Sequence, residues 1–254
     1  TEKNDYKKLI KKKIRPNIIF HCAGSGLVGI NKITHSIHKK KNLDSTINLI
    51  KFINKIKLKN SKIIFLSSQA VYGATKKNKI DEQTVNKPTS SYGKTKLLSE
   101  KKLFKLKDNK IIILRIFSIY GIGLKKQIIW NACKKLNKKN FDFFGSGQEK
   151  RDFLNINDFI KLIILILKEK KLKNNLILNV GTGKGTKIIQ LINMLKKNLK
   201  IKDKINFLNN RNKSENKNFI SNNKKIKKFF QWEPTRNLHN ELKLYVKWYK
   251  KIHE

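Results

Sequence analysis

Ser68, Tyr92 and Lys96 are the residues of this chain whose types and spacing could carry out chemistry. An apolar run from Ile63 ends in two serines, 67 and 68, and a Tyr-x-x-x-Lys segment follows. Four residues make about one helical turn, so a helix begun near Ser90 or Ser91 puts the Tyr92 phenol and the Lys96 ammonium on one face. The strand ending at Ser68 can present its hydroxyl to the same point. Such a trio suits oxidation of an alcohol, where a base takes the hydroxyl proton while a cofactor takes the hydride. A phenol with a pKa near 10 is a poor base at neutral pH. A unit positive charge about 4 Å away supplies about 4 kcal/mol at an effective dielectric near 20, which lowers that pKa by roughly three units. Lys96 stands at the spacing for this task. Taken alone, the tetrapeptide is more simply an amphipathic helix in a lysine-rich chain; the surrounding string reverses that preference.

The elements that must position these residues are legible as alternating patterns. Strand-like apolar runs occupy 18–23, 63–67, 111–117 and 176–180, and helical periodicity appears over 43–56, 92–106 and 158–168. Alternation of this kind argues for an α/β fold with a Rossmann-like parallel sheet flanked by helices on both faces. From Gly121 the character changes: 125–136 reads as a helix, 141–144 as a short strand, and 187–199 and 238–249 as helices of a smaller α/β lobe. The expected division is a Rossmann-like body at 1–120 to which 151–183 returns, and a substrate lobe at 121–150 and 184–254. The Asn/Lys-rich patch at 209–218 reads as a loop.

Composition narrows the function. The 254 residues carry a net charge of +43, which invites a nucleic-acid or anionic-membrane reading. However, the arginines number only five, and lysines spread over all polar faces alongside abundant asparagine and isoleucine, the residues of A/T-rich codons. No zinc spacing, recognition helix or aromatic-basic RNA motif accompanies them, so weak, salt-sensitive adhesion to polyanions is the expectation in place of a specific nucleic-acid partner. The two cysteines, 22 and 133, fit a reducing cytoplasm better than a disulfide scaffold. The greasiest stretch, 162–167, is far below the roughly 20 residues of a membrane span.

Ser-Ser-x-x-Val-Tyr-Gly at 67–73, then Glu82, Pro88 and Ser-Tyr-Gly-Lys-Thr-Lys at 91–96, resemble the extended short-chain dehydrogenase/reductase superfamily, specifically its NAD-dependent epimerase/dehydratase family of nucleotide-sugar enzymes. The resemblance continues through His-Cys-Ala-Gly at 21–24, Leu-Arg at 114–115, Tyr-Gly at 120–121, Gly-Ser-Gly at 145–147, Arg-Asp-Phe at 151–153, Asp158, Asn-Val-Gly-Thr-Gly at 179–183 and Phe-Gln-Trp-Glu-Pro at 230–234. It implies NAD as cofactor, a nucleotide-sugar substrate, and a homodimer built on helices 43–56 and 92–106. Tyr92 would act as base and Ser68 would hydrogen-bond the reacting oxygen. Lys96 would bind the nicotinamide ribose, and His21, Cys22, Ala23, Gly24 and Ser67 would line the cofactor with Tyr92 and Lys96. Arg151 would clamp the diphosphate, with a structural ion pair to Asp152 or Asp158 as the alternative. Arg211 would give a second phosphate contact, and Ser118 stands where the family usually has an asparagine. Dehydratases of the family carry acidic residues just after the catalytic hydroxyl; Gln69 and Ala70 stand there instead, which favours a 4-epimerase acting through a transient 4-keto sugar, or a simple reductase, over a dehydratase or decarboxylase, with the 4-epimerase the leading reading.

Gly24, Gly26 and Gly29 spell G-x-G-x-x-G, but the helix, second strand and acidic residue that the dinucleotide fingerprint needs do not follow. The family's own glycine-rich turn would lie upstream of Thr1, so the chain reads as a truncated product that binds NAD poorly. An inactive remnant or a basic nucleotide-binding protein is the alternative of another class. Asp44, Asp158 and Thr186 read as helix caps. The histidines show no metal-binding spacing.

Overall fold

The computed structural model describes residues 3–24, 26, 35–170, 172, 174–208 and 218–253. Gly29, Arg211 and nearly all of the 209–218 patch lie outside the described residues. The chain divides into two compact units, Thr1–Thr75 with Glu82–Ile116 and Leu167–Asn179, and Lys76–Asp81 with Phe117–Ile166 and Val180–Glu254. Segment 151–166, expected with the first body, groups with the second.

The first unit is built on a four-stranded sheet in the order Ile18–His21, Lys62–Ser68, Lys110–Ile116, Leu176–Val180. The first three strands run parallel, with Ile18 opposite Lys62 and Ile63 opposite Ile111. Runs of isoleucine form these strands because branched side chains suit the pleat, and a parallel sheet covered on both faces takes an unbroken apolar run. Ile63, Ile64, Ile111, Ile112 and Ile113 are accordingly all fully buried. On one face, Ile63, Phe65, Ile111 and Ile113 pack with Leu49, Phe52 and Ile53 of helix Ser45–Lys55 and Leu103 of helix Ser91–Leu103. Helix Lys3–Lys11, which the sequence reading did not anticipate, adds Tyr6, stacked on Phe52 at 5.1 Å.

Asp44 is not a cap. The helix begins earlier, at His35–His38, and passes through a π-helical stretch, Lys39–Asp44, directly into Ser45–Lys55, with Asp44 itself helical and making no capping hydrogen bond. Helix Ser91–Leu103 does start as expected, because the Ser90 hydroxyl oxygen accepts from the Gly93 amide at 3.1 Å.

The second unit carries three short pairings: Ser118–Tyr120 with Phe153–Asn155, Asp142–Phe144 with Asn206–Leu208, and Lys150–Arg151 between Asn218–Phe219 and Thr186–Lys187. Its core gathers Ile129, Cys133 and Leu136 of helix Gln127–Asn137, Leu191 and Leu195 of Ile188–Leu199, and Leu242, Tyr245 and Tyr249 of Leu238–Lys251. Thr186 is a strand residue instead of a cap; the helix begins at Ile188, and the Gln190 side-chain oxygen accepts from the Lys187 amide at 3.0 Å. Asp158 is no cap either. It is buried in the first turn of Ile156–Lys168, where its carboxylate accepts from the Thr235 amide at 3.0 Å, the Thr235 hydroxyl at 3.1 Å and the Arg236 amide at 2.8 Å.

Candidate active site

Strand Lys62–Ser68 delivers Ser68 to the edge of a one-turn 3-10 helix, Gln69–Val71, whose Ala70 amide donates to the Ser68 hydroxyl oxygen at 3.2 Å. Tyr92 enters from the first turn of the neighbouring helix. Gly93 is what lets that helix start come so near: a β-carbon there would lie 2.3 Å from the Ala70 carbonyl oxygen. The Ser68 hydroxyl stands close to the Tyr92 phenol. Burial pushes the phenol pKa up and the neighbouring Ser68 hydroxyl opposes the rise, with burial prevailing.

Lys96, one turn on, donates its ammonium to the Leu66 carbonyl at 2.7 Å and sits 4.7 Å from the centre of the Phe65 ring. Helical spacing places Tyr92 and Lys96 on one face, but the long lysine stem reaches back along the strand. Burial lowers the Lys96 pKa to about 8, against the opposing pull of Cys22 and Glu100.

The end of strand Ile18–His21 borders the same lysine. His21 is buried, bonded through Nε2 to Thr46 Oγ1 at 2.9 Å and stacked on Phe65 at 5.2 Å, so its ring belongs to the core. Burial, then the nearby Lys96 charge, lower its pKa to about 4. Cys22 is exposed; partial burial of its thiol raises the pKa while Lys96 opposes the rise. Ala23 continues the half-exposed turn. At Gly24 a β-carbon would stand 2.6 Å from Asn42 Oδ1 and 3.1 Å from Lys96 Nζ, so only glycine leaves this cradle open.

Asn42 borders this cradle, a placement its sequence neighbourhood does not announce. It is fully buried in the π-helical stretch, donates to Thr95 Oγ1 at 3.2 Å, and its carbonyl accepts from Thr46 at 2.9 Å and Ser99 at 3.3 Å. One asparagine among so many gave no signal. Nor did the network under the helix. Ser67 is buried with its hydroxyl donating to Glu100 Oε1, and Arg115 donates to both Glu100 oxygens, from Nε at 3.1 Å and Nη2 at 2.7 Å. The Tyr72 ring lies 4.8 Å from the Arg115 guanidinium, and its hydroxyl donates to Asn179 Oδ1 at 2.6 Å.

In the second unit, Arg151 lies at the middle strand of a three-stranded ladder, its guanidinium 5.1 Å from the Phe219 ring and donating to the Lys150 carbonyl at 3.0 Å. The acids proposed as its structural partners are engaged elsewhere. Asp152 accepts from the Thr182 amide (2.7 Å) and hydroxyl (2.6 Å), the Gly183 amide (2.9 Å), and the Ser221 amide (3.1 Å) and hydroxyl (2.6 Å). Asp158 holds the 235–236 segment as described above. Ser118 is half-exposed at the start of its strand and donates its amide to the Asp152 carbonyl at 3.0 Å. Among the described residues no group of His, Cys, Asp or Glu is placed to hold a metal ion, and no helix is long and apolar enough to cross a membrane.

Residues 1–181 match the family described as "NAD dependent epimerase/dehydratase family". Over 164 residues the chain is 29% identical to a protein of Methanocaldococcus jannaschii named "Putative UDP-glucose 4-epimerase", covering 61% of this chain and 52% of that protein. It is 27% identical over 238 residues to the "UDP-glucuronate 4-epimerase" of Thermodesulfobacterium geofontis, covering 91% of this chain and 72% of that one. The chain thus spans about half the length of the first relative and under three quarters of the second. A crystal structure of UDP-glucuronic acid 4-epimerase from Bacillus cereus, in complex with UDP-glucuronic acid and NAD, superposes with a TM-score of 0.86 at 25% identity, over 99% of this chain and 81% of that one.

Proposed function

The chain belongs to the NAD dependent epimerase/dehydratase family, and from that premise we propose that it serves a 4-epimerase reaction on a UDP-sugar with NAD as hydride carrier. The observation that carries the reading is the close approach of the Tyr92 helix to the end of the Ser68 strand, permitted by Gly93, beside a buried Lys96 and with Gln69 and Ala70 in place of acids. Eliminating water across a sugar needs an additional acid and base, which an amide and a methyl group cannot supply. The names of the relatives and of the solved neighbour point to the same substrate class.

The described residues suit the nicotinamide end of the cofactor. Gly24 keeps space open against Asn42 and Lys96, and the Lys96 ammonium is a buried donor at the strand end. When bound, NAD would accept a hydride from the sugar carbon and return it. Tyr92 would take the proton of the sugar 4-hydroxyl and restore it, the phenol held in place by the Ser68 hydroxyl. Ser68 would also bond the reacting oxygen, and an oxyanion there gains from a fixed donor in a site shielded from water. Lys96 would bind the cofactor ribose and bring positive charge to the site. Arg151, a planar and permanently charged fork, is the residue suited to the sugar diphosphate, with Ser118 a lesser contact and Arg211 a second cation.

Pairing of two copies through helices 45–55 and 91–103 belongs to the same reading; Leu98 on the second helix is 44% exposed, a side chain such pairing would cover. Static light scattering tests it, a monomer at micromolar concentration counting against. The reduced thiols Cys22 and Cys133 suit a cytoplasmic enzyme. The chemistry is tested by incubating the full-length parent protein with UDP-glucose, UDP-galactose or UDP-glucuronate plus NAD and separating the products by chromatography. Interconversion of 4-epimers with no net consumption of NAD is expected; a 4-keto-6-deoxy or decarboxylated product would sink the assignment.

A further inference from the structure

We propose that Glu100 is a positioning residue of this site: clamped by Arg115 and receiving the Ser67 hydroxyl, its carboxylate sets the approach of Ser68 to Tyr92. The inference rests on the epimerase reading for its kinetic readout alone.

The geometry joins three elements at one carboxylate. Ser67 belongs to strand Lys62–Ser68 and immediately precedes Ser68; Arg115 belongs to strand Lys110–Ile116 and is the register partner of Ser67; Glu100 lies on helix Ser91–Leu103, one turn beyond Lys96 and two beyond Tyr92. The ladder alone fixes the two strands to each other, but nothing in it fixes how far along the sheet the helix stands. The Ser67–Glu100 hydrogen bond and the paired Arg115–Glu100 bonds supply that reference. Both charged side chains are only 2% exposed. Taking an ion pair out of water costs several kcal/mol per ion, and well-packed apolar residues serve stability as well or better. Stability is therefore a weak reason for the pair, and an arrangement that admits a single helix position is a stronger one. Tyr72 stiffens the clamp from the far side, its ring against Arg115 and its hydroxyl on Asn179.

The groups set against Tyr92 are Ser68 from the strand end and the His38 ring at 5.8 Å from the preceding helix, while the Lys96 ammonium one turn on is bonded to the Leu66 carbonyl. Ser68 directly follows the clamped Ser67, so loosening the clamp lets the Ser68 hydroxyl move from the phenol and removes its opposition to the rise that burial causes.

Two variants test this. Ser67→Ala removes one hydrogen bond and leaves the Arg115–Glu100 pair, while Glu100→Gln removes the charge; if Glu100→Gln fails to fold, Ser67→Ala decides alone. In Ser67→Ala, kcat on the UDP-sugar should fall at least about tenfold with KM within about twofold, the pattern of a misplaced reacting group. The ring carbon resonance of ¹³C-labelled Tyr92, identified by its loss in Tyr92→Phe, should titrate at higher pH than in the unaltered protein. Unchanged kcat, a KM that rises in step with the loss of turnover, or an unmoved Tyr92 titration would each overturn the proposal. Should the unaltered protein turn over no UDP-sugar, the epimerase reading fails while the tyrosine titration still decides the clamp.

Discussion

Replacing Lys96 by Met should make the protein more stable at neutral pH while abolishing its chemistry. A lysine whose pKa falls from 10.5 to about 8 on folding carries a charge penalty of about 3 kcal/mol at pH values below 8. Methionine fills nearly the same volume without the charge. Against the relief stand the Leu66 carbonyl, which loses its donor at a cost of about 1 kcal/mol, and the contact over Phe65, worth about 0.5–1 kcal/mol. The net expectation is a gain of about 1–2 kcal/mol at pH 7, a rise in Tm of about 2–4 °C for each kcal/mol in a domain of this size. The sign must then reverse with pH. Between about pH 8 and 10.5 the unfolded chain still binds a proton at residue 96 that the folded protein has released, so stability of the unaltered protein climbs with pH relative to the variant. By pH 10.5 only the lost contacts remain, and the variant should be the less stable of the two. Thermal unfolding of both proteins followed by circular dichroism at pH 7 and pH 10.5 measures this. A variant that melts lower at pH 7, or a difference that does not change with pH, would refute the argument that the buried charge strains the fold.

In the full-length parent, Tyr92→Phe should lower turnover by at least about a hundredfold, the lower range for losing a positioned acid/base, with near-normal turnover showing that another group is the base. Arg151→Ala should raise KM for the UDP-sugar more than it lowers kcat, as for lost uniform binding; steady-state kinetics separates the two, and an unchanged KM excludes the diphosphate role. Gly93→Ala puts a β-carbon 2.3 Å from the Ala70 carbonyl, so the helix start must withdraw from Ser68; kcat should drop about tenfold or more, as for a misplacement of about 1 Å, and a crystal structure of the variant with Tyr92 unmoved would contradict it.

The strands were legible because their isoleucine runs leave few other readings; Leu176–Val180 appears with its expected ends. Helix Lys3–Lys11 was not, since its apolar residues are only Tyr6, Leu9 and Ile10, too few to mark a stripe in a lysine-rich stretch. Asp158 has the local look of a helix start, but its hydrogen-bond partners lie 77 and 78 residues away, and no sequence window reaches them. The site shows the same division. Ser68, Tyr92 and Lys96 are recognisable from spacing along one strand and one helix. Glu100 and Arg115 are ordinary residues of a helix and a strand until the fold brings them together across 15 positions. The backbone partner of a long side chain is likewise unwritten in spacing: nothing in the sequence announces that the Lys96 ammonium meets the Leu66 carbonyl.

The carboxylate of Asp152 has a consequence for the order in which the protein can be made. It gathers the turn at Thr182 and Gly183 and the backbone and side chain of Ser221, the last of these 69 residues further along. The last strand of the first sheet is complete at Val180, whereas this hub cannot close until Ser221 has been synthesised. Contacts between distant residues must first overcome the entropy of closing the loop between them, and they form late. A nascent chain ending between 180 and 221 would therefore hold a finished parallel sheet joined to a second unit whose short strands have no common anchor. Chains released or stalled in that interval should be the ones that proteases cut, with cleavage concentrated beyond residue 117.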